Sequence, residues 1–516
     1  MNGRLTLIRV AAIGALMVAV TAMSSYPFDD AFIHLRLARN LAFLGQPYFN
    51  SGEAVMSGSS LLWMLWLAAA FRVLGHASTT TAVVSECLVI AGLCVACEGF
   101  LAGSGRRSSV TLACAVCVSA LALPAAGGLM ETPLAVVLLF GGLWAFRSQR
   151  LPLSGALFGL AAATRFEMCV PALAALLLTP GSTKRLRFLA GAAPVAIASA
   201  MLLARFYGRL FPQTMAAKAI VFQMRRIDLF TMGPQEFGRY TGTGLALVLC
   251  FATAIGLARI VLQRRGSLNQ TQRALVVLGS FPLVLAGVYL WQVPLIFPWY
   301  WAMSLCPMAL FTCITLVDVR SDRLSGLVIS PFTSVALGAT LLLTAASVLS
   351  AGAAVSGKLE ASPWLVENDR TQTYLTIGEA LNTQCAGATV AAPEIGALGW
   401  TFRGRILDGG GLASPEVLPF HPLHVPDERP DGGVGSIPGR AVAALQPDVL
   451  VSMELFASDF MNKATMLPEL SKYALWWKAP VLAADPRLSV PASLWGSRWT
   501  LVFSRHRSAQ GVGCSA

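Results

Sequence analysis

The sequence predicts a mainly α, polytopic membrane protein with about 11–13 transmembrane helices and a C-terminal extracytoplasmic α/β domain. Three observations predict it. Hydrophobic residues make up 55% of the 516-residue chain and charged residues 12%, with a mean hydropathy of +0.65, whereas a soluble domain carries about a quarter charged residues. The apolar runs are too long and continuous for barrel strands, so the lipid-facing backbone has to be helical. Beyond about residue 353 the composition turns to Pro, Gly, Asp and charged residues.

The first run, "LIRVAAIGALMVAVTAMSSY", has Arg4 and Arg9 at its start and no clear small-residue cleavage site, so it reads as a retained helix. Further apolar segments run over 58–75, 82–103, 109–126, 130–147, 153–164, 166–179, 187–207, 241–263, 273–292, 299–318 and 328–352. The clusters Arg106–Arg107, Arg147 with Arg150, Lys184–Arg185–Arg187, Arg264–Arg265 and Arg320 with Arg323 mark the cytoplasmic face. A full crossing by 58–75 would put Arg106–Arg107 on the wrong side. Either that segment is re-entrant or surface-lying, or another short crossing hides between 75 and 130. No internal repeat of the kind that builds transporters is evident. The domains expected are 1–353, a transmembrane part with outer-face loops 25–57 and 208–240, and 354–516, an α/β part. In the latter, "ATVAA", "DVLVSM" and "WTLVFS" read as strands and "RTQTYLTIGEALN" as a helix.

The net charge of +12 fits cytoplasmic-loop cations rather than nucleic acid, because no basic stripe with interleaved aromatics is present. Cys94, Cys97, Cys114 and Cys117 have zinc-site spacing but lie in apolar helices, where Cys is a small soft residue. Cys385 and Cys514 lie in the final polar segment. Outside the cytoplasm they are the candidate pair for a disulfide that pins the tail.

The stretch "DDAFIHLRLARNL" follows directly on the first helix. On a helix, Asp29, Asp30, His34, Arg36, Arg39 and Asn40 share one arc, and Ala31, Leu35, Ala38 and Ala42 the other, which predicts an amphipathic helix at the membrane surface. Acids also favour any helix start, so this stretch alone is ambiguous. The same face, however, carries Glu131 in "GGLMETP", Arg165 and Glu167 in "ATRFE", and the "LIFPWYW" turn, and ionisable groups at membrane depth are costly and usually functional. It also carries Arg205, Arg209, Lys218, Arg225 and Arg226, cations the positive-inside rule should deplete there. An anionic ligand such as a lipid-linked phosphate would explain them. Carboxylates beside cations suit group transfer to a hydroxyl. One acid takes the hydroxyl proton, the cations stabilise the departing phosphate, and the second acid orients the acceptor or holds a metal.

These residues resemble the GT-C superfamily of polyprenyl-phosphate-sugar-dependent integral membrane glycosyltransferases, and among them the mycobacterial terminal arabinofuranosyltransferases that use decaprenyl-phosphate arabinose. "DDAFIHLRLARNLAFLGQPYFNSGE" resembles the family's first outer loop, matching at Asp29, Asp30, Arg36, Asn40, Asn50, Gly52 and Glu53. "GLMETPL" (Glu131, Thr132), "LAAATRFE" (Arg165, Glu167) and "YGRLFPQTMAAK" (Pro212, Thr214, Lys218) follow in the family's order, and "PEIGALGWTFRGRILDGGGLASPEV" resembles its extracytoplasmic domain. Phe166 stands where the family has Pro, Gln213 where it has Asn, and "FPWYW" lacks an Arg often found there.

The resemblance implies an inverting transferase in the bacterial inner membrane, with its site and tail domain on the extracytoplasmic side. It would move a pentose such as arabinofuranose, or a hexose, from a polyprenyl-phosphate donor to a cell-envelope glycan or lipid. It implies Asp29 or Asp30 as catalytic base, Asp29 being preferred. Lys218, with Arg36 or Arg165, would contact the donor phosphate, and His34, Glu53, Glu131 and Glu167 would line the substrate pocket. Some relatives use a divalent cation, which Asp29 and Asp30 would hold. A transporter using the same charges, and a scaffold presenting the tail, are the rival readings.

Overall fold

The computed structural model describes residues 3–25, 27–102, 108–224, 243–262, 267–292, 295–318, 363–430, 433–482, 493–505, 507–508 and 511–512. The run 328–352, Arg106–Arg107, Arg225–Arg226, Arg264–Arg265, Arg320, Arg323 and Cys514 lie outside them.

The bundle begins with α1 (Gly3–Met23), α2 (Asp29–Leu44), α3 (Leu61–Leu74) and α4 (Thr79–Ala102). Helices α1 and α4 run antiparallel. Arg9 near the start of α1 pairs with Glu98 near the end of α4 at 3.0 Å, and Thr21 near the end of α1 contacts Cys87 near the start of α4. The segment carrying α2 and α3 therefore leaves and re-enters the bundle at one end. This removes the crossing that the sequence left unassigned, since 58–75 returns to the side it came from.

Next come α5 (Ser108–Ala120), α6 (Leu123–Gly127), α7 (Thr132–Arg147), α8 (Leu151–Thr164), α9 (Cys169–Leu178) and α10 (Ser182–Tyr207). The short α11 (Gln213–Ile220), then α12 (Thr243–Leu262), α13 (Gln270–Gln292) and α14 (Trp301–Asp318) complete the described bundle. Four of these helices are long and apolar enough to cross a membrane (from Leu5, Thr79, Ser182 and Gln270), and six more apolar helices are shorter. The protein is membrane-embedded. Helices α8 and α10 approach backbone to backbone. A methyl on Gly155 would strike the Phe188 carbonyl, and one on Gly191 the Pro152 carbonyl, the close approach that small residues permit between membrane helices. Two of the expected cation clusters, Arg147 with Arg150 and Lys184–Arg185–Arg187, mark one end, where Lys184 donates to Gln149 at 3.2 Å and Arg147 to the Phe100 carbonyl at 2.6 Å.

The chain then forms α15 (Pro363–Gln384), β1 (Thr389–Ala392), α16 (Gly396–Thr401) and β2 (Arg405–Asp408), followed by α17 (Gly439–Leu445), β3 (Val449–Met453), α18 (Ser458–Lys463), β4 (Ala474–Pro480) and β5 (Trp499–Ser504). The sheet order is β2-β1-β3-β5-β4. Strands β1, β2 and β3 are parallel, with Val390 opposite Ile406 and Val449, while β5 runs antiparallel to both β3 and β4. Successive residues alternate faces. Ala391, Leu407 and Leu450 pack under Val417, Ile437 and Phe460. Val390, Ile406, Val449 and Val451 point the other way, into a core continuous with the bundle through Tyr374, Leu398 and Phe402. Cys385 is disulfide-bonded. Among the described residues, the cysteines of the membrane helices, Cys94 and Cys97 among them, carry no disulfide.

Candidate active site

The site is assembled at the bundle end opposite the Arg147 and Lys184 clusters. Phe28 fixes the entry to α2, its N–H donating to the Gly128 carbonyl at 3.2 Å and its ring lying 4.8 Å from Trp299. The "GGLME" turn holds Leu129 at φ 61°, a costly conformation for a non-glycine residue. That turn presents Glu131 at the start of α7, fully buried. Helix α8 stops at Arg165, whose backbone is extended (φ −143°, ψ 123°). The break turns the guanidinium inward, where Nη1 donates to Glu131 Oε1 at 2.7 Å and Nη2 and Nε donate to the two Glu167 oxygens at 2.5 and 3.2 Å. The guanidinium plane lies 4.2 Å from the Tyr300 ring centroid. Ser59 donates to Glu131 Oε1 at 3.0 Å, and His34 Nε2 stands 3.5 Å from Oε2. His34 Nδ1 and Glu131 Oε2 are buried with no hydrogen-bond partner among the described residues, a cost tolerated where a ligand is to be met.

Asp30 and Lys218 complete the constellation. Lys218, on α11, donates to the Tyr300 hydroxyl at 2.5 Å, and its ammonium lies 5.2 Å from the Phe297 ring centroid. Burial would depress it, but the Tyr300 oxygen and the Asp30 carboxylate beside it push its pKa above the ordinary lysine value. Asp30 is half-buried, and no hydrogen bond among the described residues engages its carboxylate. Burial raises its pKa, with the Lys218 and His34 charges opposing the rise and Glu131 adding to it. Burial pushes His34 down, toward neutral imidazole.

Asp29, its neighbour, points elsewhere. Its two oxygens accept the Gly396 and Ala397 N–H groups, at 2.9 and 2.8 Å. Burial and the nearby Glu394 carboxylate raise it to about 7. Arg36 is also committed. It donates to the carbonyls of Phe49 (2.7 Å), Gly399 (2.5 Å), Phe402 (2.9 Å) and Gly404 (3.1 Å). Glu53 pairs with Arg405 at 2.5 Å on the flank of β2, away from Glu131. Thus Asp30, His34, Glu131, Arg165, Glu167 and Lys218 come together, while Asp29, Arg36 and Glu53 meet the C-terminal α/β unit. The side of α2 that carries Asp29, Arg36 and Arg39 is covered by that unit rather than open to water, and Asp29, His34 and Arg36 are buried.

The described residues contain no group of three His, Cys, Asp or Glu side chains fit to hold a metal, and each Asp29 oxygen accepts one N–H group. Tyr300 and Asp408 were not among the expected site residues. Asp408 ends β2, with its carboxylate accepting the Gly410 and Ala413 N–H groups at 2.8 and 2.7 Å. Burial raises it to about 6, and Asp30 lies within its field.

The helical membrane bundle thus gathers buried acids and cations at one end beneath a small α/β unit. The solved structure of ArnT from Cupriavidus metallidurans in the apo state has this fold, with a TM-score of 0.53 at 12% identity over 99% of each chain. ArnT bound to undecaprenyl phosphate aligns over 100% of each chain, with a TM-score of 0.51 at 12% identity. Arabinofuranosyltransferase AftD from Mycobacteria aligns at 15% identity with a TM-score of 0.49 over 98% of this chain, and this chain spans 40% of its length. A family model described as a domain of unknown function (DUF8728) matches residues 364–503, the α/β unit. No curated protein matches the sequence.

Proposed function

We propose that the protein is an inverting glycosyltransferase that moves a sugar from a polyprenyl-phosphate donor to a hydroxyl of a cell-envelope glycan or lipid. The site would face the extracytoplasmic side of the bacterial inner membrane. The observation that carries the reading is a carboxylate that no hydrogen bond among the described residues engages, Asp30, with Lys218 the strongest of the cations acting on it, beside the Glu131–Arg165–Glu167 triad. In this reading Asp30 is the base, in place of the sequence preference for Asp29, whose oxygens are spent on N–H groups. Asp30 takes the acceptor hydroxyl proton as that oxygen attacks the anomeric carbon. The bond from that carbon to the phosphate oxygen breaks, and the polyprenyl phosphate leaves with its charge against Lys218. Arg165, saturated by two carboxylates, shapes the pocket instead. The sugar is a pentose such as arabinofuranose, or a hexose.

The test is mass spectrometry of purified protein incubated with polyprenyl-phosphate pentoses and hexoses and envelope glycan fragments. A new glycosidic product with inverted anomeric configuration is expected. Release of free lipid phosphate with no product, or no reaction with either donor class, would reject the assignment.

Two further outcomes follow from Lys218. Lys218→Met should weaken donor binding by about 10- to 150-fold, the value of one charge-assisted hydrogen bond, read by titration with the lipid phosphate. It should also move the acid limb of kcat/KM. Asp30 works deprotonated and its pKa is already raised, so wild-type activity should fall with decreasing pH at a midpoint above the ordinary carboxylate range. Lys218 is the largest charge holding that pKa down, so its loss should shift the limb to higher pH. A limb that stays in place would separate Lys218 from Asp30.

A further inference from the structure

Helix α16, "GALGWT", is six residues long, so its end groups outnumber its internal hydrogen bonds and need partners. Helix α2 supplies them at both ends. Asp29 takes the N–H groups of Gly396 and Ala397 at one end, and Arg36 takes the carbonyls of Gly399 and Phe402 at the other. Seven residues along α2 span about 10.5 Å, a little more than the ~9 Å of the six-residue helix between them. Arg39 adds a bond to the Trp400 carbonyl at 2.9 Å, with its guanidinium 4.7 Å from the Trp400 ring centroid.

The approach is too close for side chains on α16. A methyl on Gly396 would strike the Asp29 carbonyl, and one on Gly399 would lie 2.6 Å from the Phe49 ring and 2.8 Å from Arg36 Nη1. Asn50 extends the grip to β2 by exchanging hydrogen bonds with the Ile406 N–H and carbonyl, at 3.0 and 2.8 Å. Two residues further along, β2 ends in Asp408. The loop after it reaches α11, where the Gln213 side chain meets the Gly411 carbonyl at 3.5 Å and Phe222 packs on Gly410. The clamp therefore links the first turn of α2, which carries Asp30, to the helix that carries Lys218, through the α/β unit.

We infer that Asp29 is a positioning residue. It and Arg36 clamp helix α16 of the α/β unit onto α2, and this clamp holds the α/β unit in register with Asp30 and Lys218. The inference rests on the glycosyltransferase reading for its kinetic consequence but not for its structural one. Asp29→Asn leaves an amide that can accept from only one side, since its NH2 group faces a donor. Gly396→Ala pushes the same contact apart from the opposite surface, with both aspartates intact.

The experiment is hydrogen exchange on the full-length protein in nanodiscs, read on peptides covering 396–401, together with transfer kinetics. In both variants these amides should exchange about tenfold faster or more, the loss of one charge-assisted hydrogen bond. Acceptor kcat/KM should fall, and donor affinity should weaken less than in Lys218→Met. Asp30→Asn should keep the wild-type protection. Unchanged exchange in both Asp29→Asn and Gly396→Ala would overturn the clamp. Loss of transfer in Asp29→Asn as complete as in Asp30→Asn, with α16 still protected, would make Asp29 the base and overturn its positioning role. Exchange needs no substrate, so a wild-type protein that transfers nothing would reject the glycosyltransferase reading while the clamp is still decided.

Discussion

Asp30→Asn should lower sugar transfer by about 10²- to 10⁴-fold, the usual cost of losing a general base. The substitution is close to isosteric and removes no hydrogen bond among the described residues, because none engages the carboxylate. The loss should therefore fall on the chemical step. Single-turnover rates at saturating donor should drop, while the melting temperature and the donor titration stay near wild type. The variant should also lose the acid limb of the pH profile, since the group that titrates there is gone. A single-turnover rate close to the wild-type value would remove Asp30 from the role. Asp29→Asn offers the contrast, since its damage should travel through α16.

Arg165→Met should destabilise the protein by about 3–5 kcal/mol, the range for breaking a buried ion pair from one side. Arg165 is 2% exposed and holds two carboxylates. Without it, Glu131 would keep Ser59 as a donor, with His34 at 3.5 Å from an oxygen that no hydrogen bond among the described residues engages. Thermal unfolding in detergent should register the change, and activity should fall with it because Glu131 would move relative to His34. Adding Glu131→Gln should recover part of the stability, since one stranded charge is gone. A midpoint within about 1 °C of the parent would show that the triad does not hold the bundle end together.

Much of this arrangement could be read from the sequence because charge is scarce in it. In a chain with 12% charged residues, Glu131, Arg165 and Glu167 stand out at the ends of apolar runs, and the structure brings them within hydrogen-bonding distance. The strands at 389–392, 449–453 and 499–504 were legible from dense β-branched and apolar residues. Strand β2, "RILD", was not, because a four-residue run with a charge at each end has no pattern to read. Strand β4, "ALWWKAP", escaped for another reason: both of its faces are half-buried or exposed, so no alternation marks it.

The division of labour within "DDAFIHLR" was hidden for a different cause. Two adjacent acids on a helix point about 100° apart, and what each one meets depends on residues far along the chain. Asp29 meets Gly396, and Lys218 lies in the field of Asp30. Spacing shows that Asp29 and Arg36 share a face. Only the presence of α16 between them shows that the face is occupied by protein.

The clamp on α16 also has a history within each molecule. Its hydrogen bonds join residues 361 to 368 positions apart. At a synthesis rate of about 5–20 residues per second, α2 is made on the order of 20–70 s before its partner. During that interval Asp29, Arg36 and Arg39 have no carbonyls or amides of α16 to meet. The apolar arc of α2 can rest on the bilayer while these three side chains stay in water, which is where an amphipathic surface helix holds them. The seat of the α/β unit is thus made long before the part of the chain that occupies it.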